Sequence, residues 1–183
     1  GLGELISGGT TTILDMGSVK GCDSIFEAVK QSGIRAFCGK AMMDTGDFVP
    51  ENLLENTDES FQESIRLYEK YHNCENGRIK YAFAPRFVLS VSDELFSLVG
   101  VFSESRKVLI HTHAYENGNE GQEVQKLKGS REFEHFEKLG ILSERLLAAH
   151  CIWINDHDRE LIKKYGVKVL HCPSSNFKLG SGM

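Results

Sequence analysis

Residues 108–116 read VLIHTHAYE, an apolar, β-branched run that ends in histidine and is followed three residues later by a carboxylate. The apolar run is too short for a typical helix and predicts a buried strand. Side chains alternate along a strand, so His111 and His113 are expected on one face, with His113 nearer the carboxyl end. The stretch therefore predicts a strand that carries imidazole groups to one edge of a sheet.

Strand-like runs alternate with helical patterns along the whole chain. The strand-like runs lie at residues 10–15, 34–42, 79–84, 108–113, 146–150 and 167–171. Apolar residues three or four apart predict helices at residues 24–32, 58–71, 92–99, 131–139 and 156–165. Local signals agree with these limits: a capping-box-like sequence begins at Ser90, Asn155 precedes acidic residues, and glycines follow three helical patterns at Gly33, Gly140 and Gly166. Regular β-α alternation predicts parallel strands joined by helical crossovers.

Two α/β architectures share this alternation, an open doubly wound sheet and a (β/α)8 barrel. Neither a G-x-G-x-x-G nor a G-x-x-x-x-G-K-[ST] sequence follows the first strand, which disfavours a nucleotide-binding open sheet. Several predicted strands end in polar residues, as the strands of barrel enzymes do, namely Asp15, Asp44, Arg86, His113 and His150. These strand ends favour the barrel.

The composition is that of an ordinary globular domain. The 183 residues are 40% hydrophobic and 26% charged, which fits one domain over residues 1–183. A net charge of −5 argues against a nucleic-acid partner, which needs clustered Lys and Arg. No apolar run reaches the ~20 residues of a membrane span, and no signal-peptide pattern opens the chain. Five widely spaced cysteines without a C-x-x-C pair predict no disulfide framework, so we expect a cytoplasmic location.

The candidate site consists of His113, Glu116 and His150. The two histidines end consecutive predicted strands, and the carboxyl ends of parallel strands meet at one edge. Imidazole is a common ligand of divalent metals, a bound metal lowers the pKa of water, and a carboxylate nearby can carry the proton to a leaving group. A single strand histidine is usually a core residue, but this combination predicts part of a hydrolytic metal site.

The motifs resemble those of the amidohydrolase superfamily, in particular its branch of aminohydrolases and chlorohydrolases that act on heteroaromatic rings. The matching pieces follow the family's order over nearly the whole chain, at residues 8–15 (GGTTTILD), 33–36 (GIRA), 84–87 (APRF), 113–116 (HAYE), 149–151 (AHC) and 171–176 (HCPSSN). The resemblance implies a TIM barrel with one divalent metal, usually zinc and sometimes iron, and a small heteroaromatic substrate that reacts with water.

The resemblance also implies a role for each site residue. His113 is the metal ligand on the fifth strand, Glu116 the proton shuttle and His150 the residue that orients the attacking hydroxide. The family's H-x-H ligand pair belongs on the first strand, so His111 is expected to be a core residue or a residue that supports the metal ligands. That H-x-H pair and an eighth-strand Asp are absent from the 183 residues. We therefore expect a partial barrel of about six βα units, lacking the first and last strands, that belongs to a longer, dimeric enzyme and is inactive alone.

The substrate prediction depends on Arg86 and Phe87. The sequence APRF at residues 84–87 resembles that of guanine deaminases. In such a pair, the arginine can donate paired hydrogen bonds to a ring carbonyl, and the phenylalanine can stack on the base. This predicts deamination of a purine-like ring such as guanine. The alternative role for Arg86 is an ion pair at the barrel rim, with Phe87 packed beneath a loop.

Two other functions stay open. Residues 113–116 also resemble triazine hydrolases and nucleoside deaminases, so hydrolytic removal of chloride or alkylamine from a triazine-like ring is one alternative. A non-catalytic binding or assembly module is the other, and it predicts no bound metal. Outside the site, we expect Asp15 and Asp44 to cap loops, Asn176 to organise the mouth through backbone hydrogen bonds, and three histidines to lie at the surface, namely His72, His135 and His157.

Overall fold

Seven strands and nine helices lie along residues 1–182, which the computed structural model describes; Met183, the last residue of the predicted domain, lies outside the described residues. The strands are β1 (Thr12–Asp15), β2 (Arg35–Cys38), β3 (Ala41–Met42), β4 (Ile79–Pro85), β5 (Leu109–Ala114), β6 (Leu146–His150) and β7 (Lys168–Leu170). The helices are α1 (Leu2–Ser7), α2 (Cys22–Ser32), α3 (Thr57–Tyr71), α4 (Cys74–Gly77), α5 (Asp93–Arg106), α6 (Gly118–Lys128), α7 (Glu132–Lys138), α8 (Asp156–Tyr165) and α9 (Pro173–Leu179).

The strands form one parallel sheet in chain order. The order is β1-β2-β4-β5-β6-β7, with β3 beside the end of β4, and all pairs are parallel. A doubly wound sheet would reverse its strand order at a switch point, whereas a barrel adds each new strand on the same side. The sheet order therefore belongs to part of a (β/α)8 barrel, which decides between the two predicted architectures.

The prediction of one strand over residues 34–42 is wrong, because β2 and β3 are separated at Gly39 and Lys40. A Cβ on Gly39 would lie 2.3 Å from the carbonyl oxygen of Ala82 on β4, so only glycine fits this close approach of two backbones. The buried side chain of Lys40 pairs with Glu55, 2.5 Å from Nζ to Oε2, and so anchors the loop before α3. The break between β2 and β3 is a consequence of these two contacts.

A layer of aromatic and aliphatic side chains fills the space between the sheet and its helices. The rings of Phe26 on α2 and Tyr71 on α3 stack at 4.3 Å, and Tyr81 on β4 lies 6.0 Å from Phe26. Strand β4 is buried at nearly every position, as expected for a parallel strand covered on both faces. Within residues 1–182, no helix combines the length and the apolarity that a bilayer crossing requires.

The five predicted helices are present as α2, α3, α5, α7 and α8, and their ends follow the predicted signals in part. Asn155 caps α8 by accepting from the backbone N–H of Asp158 at 2.8 Å, as predicted. The prediction of a capping box from Ser90 is wrong: the N-cap of α5 is Ser92, which accepts from the backbone N–H of Leu95 at 3.1 Å, and Leu95 cannot complete a box. Helix α6 has no counterpart among the predictions, because its buried face carries only Glu120 and Val124 and shows no apolar period.

Candidate active site

The ends of β5 and β6 bring three histidines to one cavity. His113 pairs with Ala149 in the strand register, and the rings of His113 and His150 lie 5.5 Å apart. His111 is one layer deeper, with its ring 6.1 Å from that of His113, as the alternation of side chains predicts. The cavity has a volume of about 410 Å³ and is lined by Leu14, His111, His113, Ala149, His150, Leu170, Cys172 and Ser175.

His113 has one ring nitrogen engaged and one left for a ligand. Its Nδ1 lies 2.8 Å from the carbonyl oxygen of Arg86, and because a carbonyl only accepts, Nδ1 carries the proton. Burial lowers the pKa of His113, although the hydrogen bond to Arg86 opposes the shift, so the ring is neutral at pH 7. A neutral imidazole oriented through Nδ1 is the usual form of a metal-ligating histidine.

His111 lines the cavity wall but has no hydrogen-bond partner for Nδ1 among the described residues. Burial, followed by the neighbouring His113 and His150, lowers the pKa of His111 to about 4. The side chain is therefore neutral at physiological pH, as a core residue would be. Because His111 lines the cavity wall, a ligand bound in the cavity would also contact it.

His150 is held between an amide and a carboxylate. Its Nδ1 lies 2.7 Å from Oδ1 of Asn176, which is 1% exposed on α9, and its Nε2 lies 3.5 Å from Oε1 of Glu116. The amide oxygen accepts the Nδ1 proton, which fixes the ring and leaves Nε2 facing the cavity beside Glu116. Asn176 thus acts through its side chain as well as through the backbone contacts that the sequence predicts.

The loops that follow β5 and β6 share an unusual backbone. Tyr115, His150 and Cys151 have positive φ angles of 49°, 74° and 51°, a region that costs free energy for residues other than glycine. The two loops are joined by backbone hydrogen bonds from Cys151 to Ala114 at 2.8 Å and from Ile152 to Tyr115 at 3.1 Å. These bonds fix Glu116 and His150 relative to each other, and three of the seven non-glycine residues with positive φ among residues 1–182 lie in these two loops.

The predicted substrate residues lie beside this cavity rather than in its wall. Arg86 is exposed at the end of β4, with its guanidinium 4.9 Å from the centre of the Phe87 ring. Phe87 also packs against Phe48, at 5.9 Å between ring centres. Arg86 has no ion-pair partner among residues 1–182, so both of its predicted roles stay predictions.

Asp15 and Asp44 have structural roles. Asp15 accepts from the backbone N–H of Gly17 at 2.8 Å, and Asp44 accepts from Ser92 and Thr57 at the starts of α5 and α3.

Among the histidines expected at the surface, only His157 is exposed. The prediction is wrong for His135, which is 5% exposed and lies 2.9 Å from Asp93. His72 is half-buried because its Nδ1 accepts from the backbone N–H of Tyr81.

The donor set fits part of a metal site. His113 offers a neutral imidazole with the second nitrogen already fixed, which suits zinc or iron. Within residues 1–182, no group of three or more His, Cys, Asp or Glu side chains is arranged to hold a metal ion. A catalytic zinc ion uses three protein ligands. The described residues therefore supply one good ligand, with His111 and His150 close by, and not a complete set.

Comparisons with known proteins agree with this geometry. Residues 1–183 match the model of the Amidohydrolase family, and the chain belongs to that family. A similar curated protein is the 5'-deoxyadenosine deaminase of Methanothermobacter thermautotrophicus, which is 33% identical over 180 residues, or 98% of this chain and 40% of the relative. The chain thus spans 40% of the length of that relative.

Two solved structures resemble the fold over 100% of the chain. Guanine deaminase from C. acetobutylicum, with guanine bound in its active site, has a TM-score of 0.92 and 34% identity, and the match covers 44% of it. Atrazine chlorohydrolase from Arthrobacter aurescens TC1, complexed with zinc, has a TM-score of 0.92 and 26% identity, with 43% covered. The predicted family and the predicted partial TIM barrel are both confirmed.

Proposed function

We propose that the protein carrying this chain is a metal-dependent aminohydrolase that removes ammonia from a purine-like ring, with guanine as the first candidate. The observation that supports this most directly is the contact between Glu116 and His150, 3.5 Å apart at the ends of β5 and β6 and next to the free nitrogen of His113. The relatives named above include deaminases of guanine and of 5'-deoxyadenosine.

Each residue has a definite part in the proposed reaction. When bound, a divalent metal, for which we propose zinc, supplies Lewis-acid activation of water, and His113 is its ligand in this chain. Glu116 takes a proton from the water and gives it to the ring nitrogen or the leaving amine, while His150 orients the attacking oxygen. A C–O bond forms, the C–N bond breaks, and ammonia leaves. We assign Arg86 and Phe87 to substrate recognition, in which Arg86 meets a ring oxygen and Phe87 one face of the ring.

A second candidate is hydrolytic displacement of chloride or an alkylamine from a triazine-like ring. The likeness to atrazine chlorohydrolase, at 26% identity and a TM-score of 0.92, favours it as the alternative. The two reactions use the same activated water and differ only in the ring and the leaving group. A panel of guanine, 5'-deoxyadenosine, cytosine and triazines, given to the zinc-loaded protein that carries this chain, separates them. Inactivity toward guanine would refute our first candidate.

Glu116→Gln tests the catalytic assignment. We expect the substitution to lower kcat by about 10³-fold, because general acid-base catalysis contributes on that order, while zinc content stays unchanged. Glu123→Gln on α6 is the matched control, since Glu123 is exposed and lies outside the site. Unchanged kcat in Glu116→Gln, together with no bound metal, would instead support the non-catalytic module.

We also propose that the protein is located in the cytoplasm. The five cysteines are all free in the described structure, which supports the cytoplasm as the compartment. We propose a homodimer as the assembly of the longer protein, a property that sedimentation of that protein tests.

A further inference from the structure

Tyr115 lies between the end of β5 and the candidate proton carrier Glu116, in a backbone conformation that favours glycine. Its φ angle is 49°, in the left-handed region, which costs free energy for a residue with a large side chain. Residues 115–117 form the β5–α6 loop, so the turn at Tyr115 sets the direction in which the chain leaves the strand. The residue is 1% exposed, and the contacts of its side chain offset the cost of this turn.

The hydroxyl of Tyr115 joins the starts of two helices. It accepts from the backbone N–H of Glu132, the first residue of α7, at 2.9 Å, and it donates to Oδ1 of Asp158 in the first turn of α8 at 3.2 Å. The Glu132 N–H is one of the groups at a helix N-terminus that have no partner within the helix. Asp158 is 0% exposed, and its other oxygen accepts from Nε of Arg131 at 3.2 Å and from the backbone N–H of Asn155 at 2.9 Å. The phenol is therefore anchored to groups that the fold already holds.

The ring and the main chain of Tyr115 are held as well. The guanidinium of Arg131 lies 4.9 Å from the centre of the ring, and the ring of Phe133 stacks at 5.9 Å. The backbone N–H of Tyr115 donates to Oε2 of Glu132 at 3.1 Å, and its carbonyl oxygen accepts from Ile152 in the loop after β6 at 3.1 Å. Glu132 thus contacts both the main-chain N–H and the hydroxyl of Tyr115, which fixes the residue at its two ends.

The next residue along the chain, Glu116, depends on this turn for its direction. Its carboxylate faces Nε2 of His150 at 3.5 Å. Within residues 1–182, Glu116 bonds to other side chains through its backbone N–H, to Glu120 at 2.7 Å, whereas its carboxylate makes no hydrogen bond. The main chain on either side of its Cα therefore determines where the carboxylate lies.

We propose that Tyr115 is a positioning residue for the reaction: its phenol, held by α7 and α8, maintains the left-handed turn that aims the Glu116 carboxylate at His150. Tyr115 lies outside the cavity lining, so it acts on the reaction through the position of Glu116. The inference rests on the proposed function, in which Glu116 carries the proton. A tyrosine that merely filled the core would stabilise the fold without a selective effect on Glu116.

Tyr115→Phe removes the hydroxyl and keeps the ring. In the zinc-loaded protein that carries this chain, with the substrate identified by the panel, we expect kcat to fall about tenfold at nearly constant KM, because proton transfer is affected and binding is not. Zinc content should match wild type. Tyr165→Phe is the matched control, since the Tyr165 hydroxyl also joins α8 to α7, through Glu137 at 2.7 Å, without a contact to the β5–α6 loop. A wild-type kcat in Tyr115→Phe, or an equal fall in the control, would overturn the proposal.

Asp158→Ala tests the same anchor from the other side, and it serves even where Tyr115→Phe fails to fold. The substitution removes the acceptor of the phenol on α8 and leaves Tyr115 in place. We expect a fall in kcat of similar size, again at nearly constant KM. An unchanged kcat would contradict a role for the anchored phenol.

A double-mutant cycle separates positioning from general stabilisation. In the Glu116→Gln background the carboxylate that the turn aims is already lost, so the addition of Tyr115→Phe, or of Asp158→Ala, should lower kcat by less than about twofold. Additive effects would show that the phenol acts elsewhere and would refute this inference alone. A wild-type kcat in Glu116→Gln itself would refute the proposed function, so the two failures are distinguishable.

Discussion

The side chain of His150 has Nδ1 engaged by the Asn176 amide, whereas Nε2 faces a carboxylate oxygen of Glu116 at 3.5 Å. The Asn176 oxygen selects the tautomer, because it can accept only if Nδ1 carries the proton. The lone pair on Nε2 is then available at the cavity for a proton or a hydroxide. Orientation of the imidazole thus depends on a residue 26 positions further along the chain.

Asn176→Ala removes this orientation without a change in any residue that we assign to substrate. We expect kcat to fall roughly 10- to 100-fold with little change in KM, because loss of a partner that orients a site histidine typically costs that much. Asn176→Asp should recover most of the rate, since its carboxylate accepts from Nδ1 equally well. Steady-state kinetics of both variants decides the matter. A wild-type kcat in Asn176→Ala would show that the contact is dispensable.

The convergence of His113, Glu116 and His150 could be predicted from the sequence, because parallel strand ends meet at one edge of a sheet. The contacts that hold these three side chains in place could not be predicted. The contact of Asn176 with His150 depends on how α9 packs beside β6, and the hydrogen bonds from the β5–α6 loop to Glu120 and Glu132 depend on how α6 and α7 pack behind that loop. Neither arrangement leaves a periodic pattern in the sequence. A buried glutamate in a charged helical stretch is indistinguishable from an exposed one until the structure is known.

Among the elements, α3 is joined to β4 by His72, the residue at its C-terminal cap. Its Nδ1 accepts from the backbone N–H of Tyr81 at 3.2 Å, which requires an unprotonated nitrogen. Burial and then the nearby Lys80 lower the pKa of His72 below its ordinary value. The folded state therefore prefers neutral His72 more strongly than the unfolded state does.

This preference gives stability a pH dependence with a definite sign. A histidine with a depressed folded-state pKa does not lower the free energy of unfolding above its unfolded pKa of about 6.5. Below that pH the unfolded state binds the proton more readily than the folded state, so the free energy of unfolding falls. We expect wild type to lose more free energy of unfolding between about pH 7 and 5 than His72→Gln, whose amide oxygen keeps the bond to Tyr81 and does not titrate. Urea unfolding at a series of pH values measures the difference. Parallel pH profiles would contradict the expectation.

Sequence patterns identified the elements that have an apolar face and missed those that do not. Helices α2 and α8 have well-separated apolar and polar sides and end at glycines in the left-handed region. Helix α6 buries a glutamate and a single valine, so its periodicity is hidden. The division of the second strand at Gly39 depends on an approach to the backbone of β4 that only the packed sheet reveals.

At the scale of the whole molecule, the described residues form an incomplete ligand set on an open sheet. We expect a polypeptide of these 183 residues to bind zinc weakly and to have no deaminase activity, because His113 is one ligand and catalytic zinc uses three. Equilibrium dialysis with zinc, alongside the longer protein, measures this. The longer protein should bind one zinc ion and lose it in His113→Ala. Tight, stoichiometric zinc binding by the 183 residues alone would be inconsistent with this expectation.

The main-chain bridge between the β5 and β6 loops has a consequence for how this scaffold can be altered. Hydrogen bonds from residues 151 and 152 to Ala114 and Tyr115 join backbone to backbone, so among side-chain replacements only proline at 151 or 152 removes a donor. Side chains around the cavity can then be exchanged, by natural drift or in a laboratory library, while the spacing between the two strand ends is kept. Insertions and deletions have the opposite effect, since one residue more or fewer in either loop breaks the bridge. Attempts to change the preferred ring should therefore vary residue types here and leave the loop lengths alone.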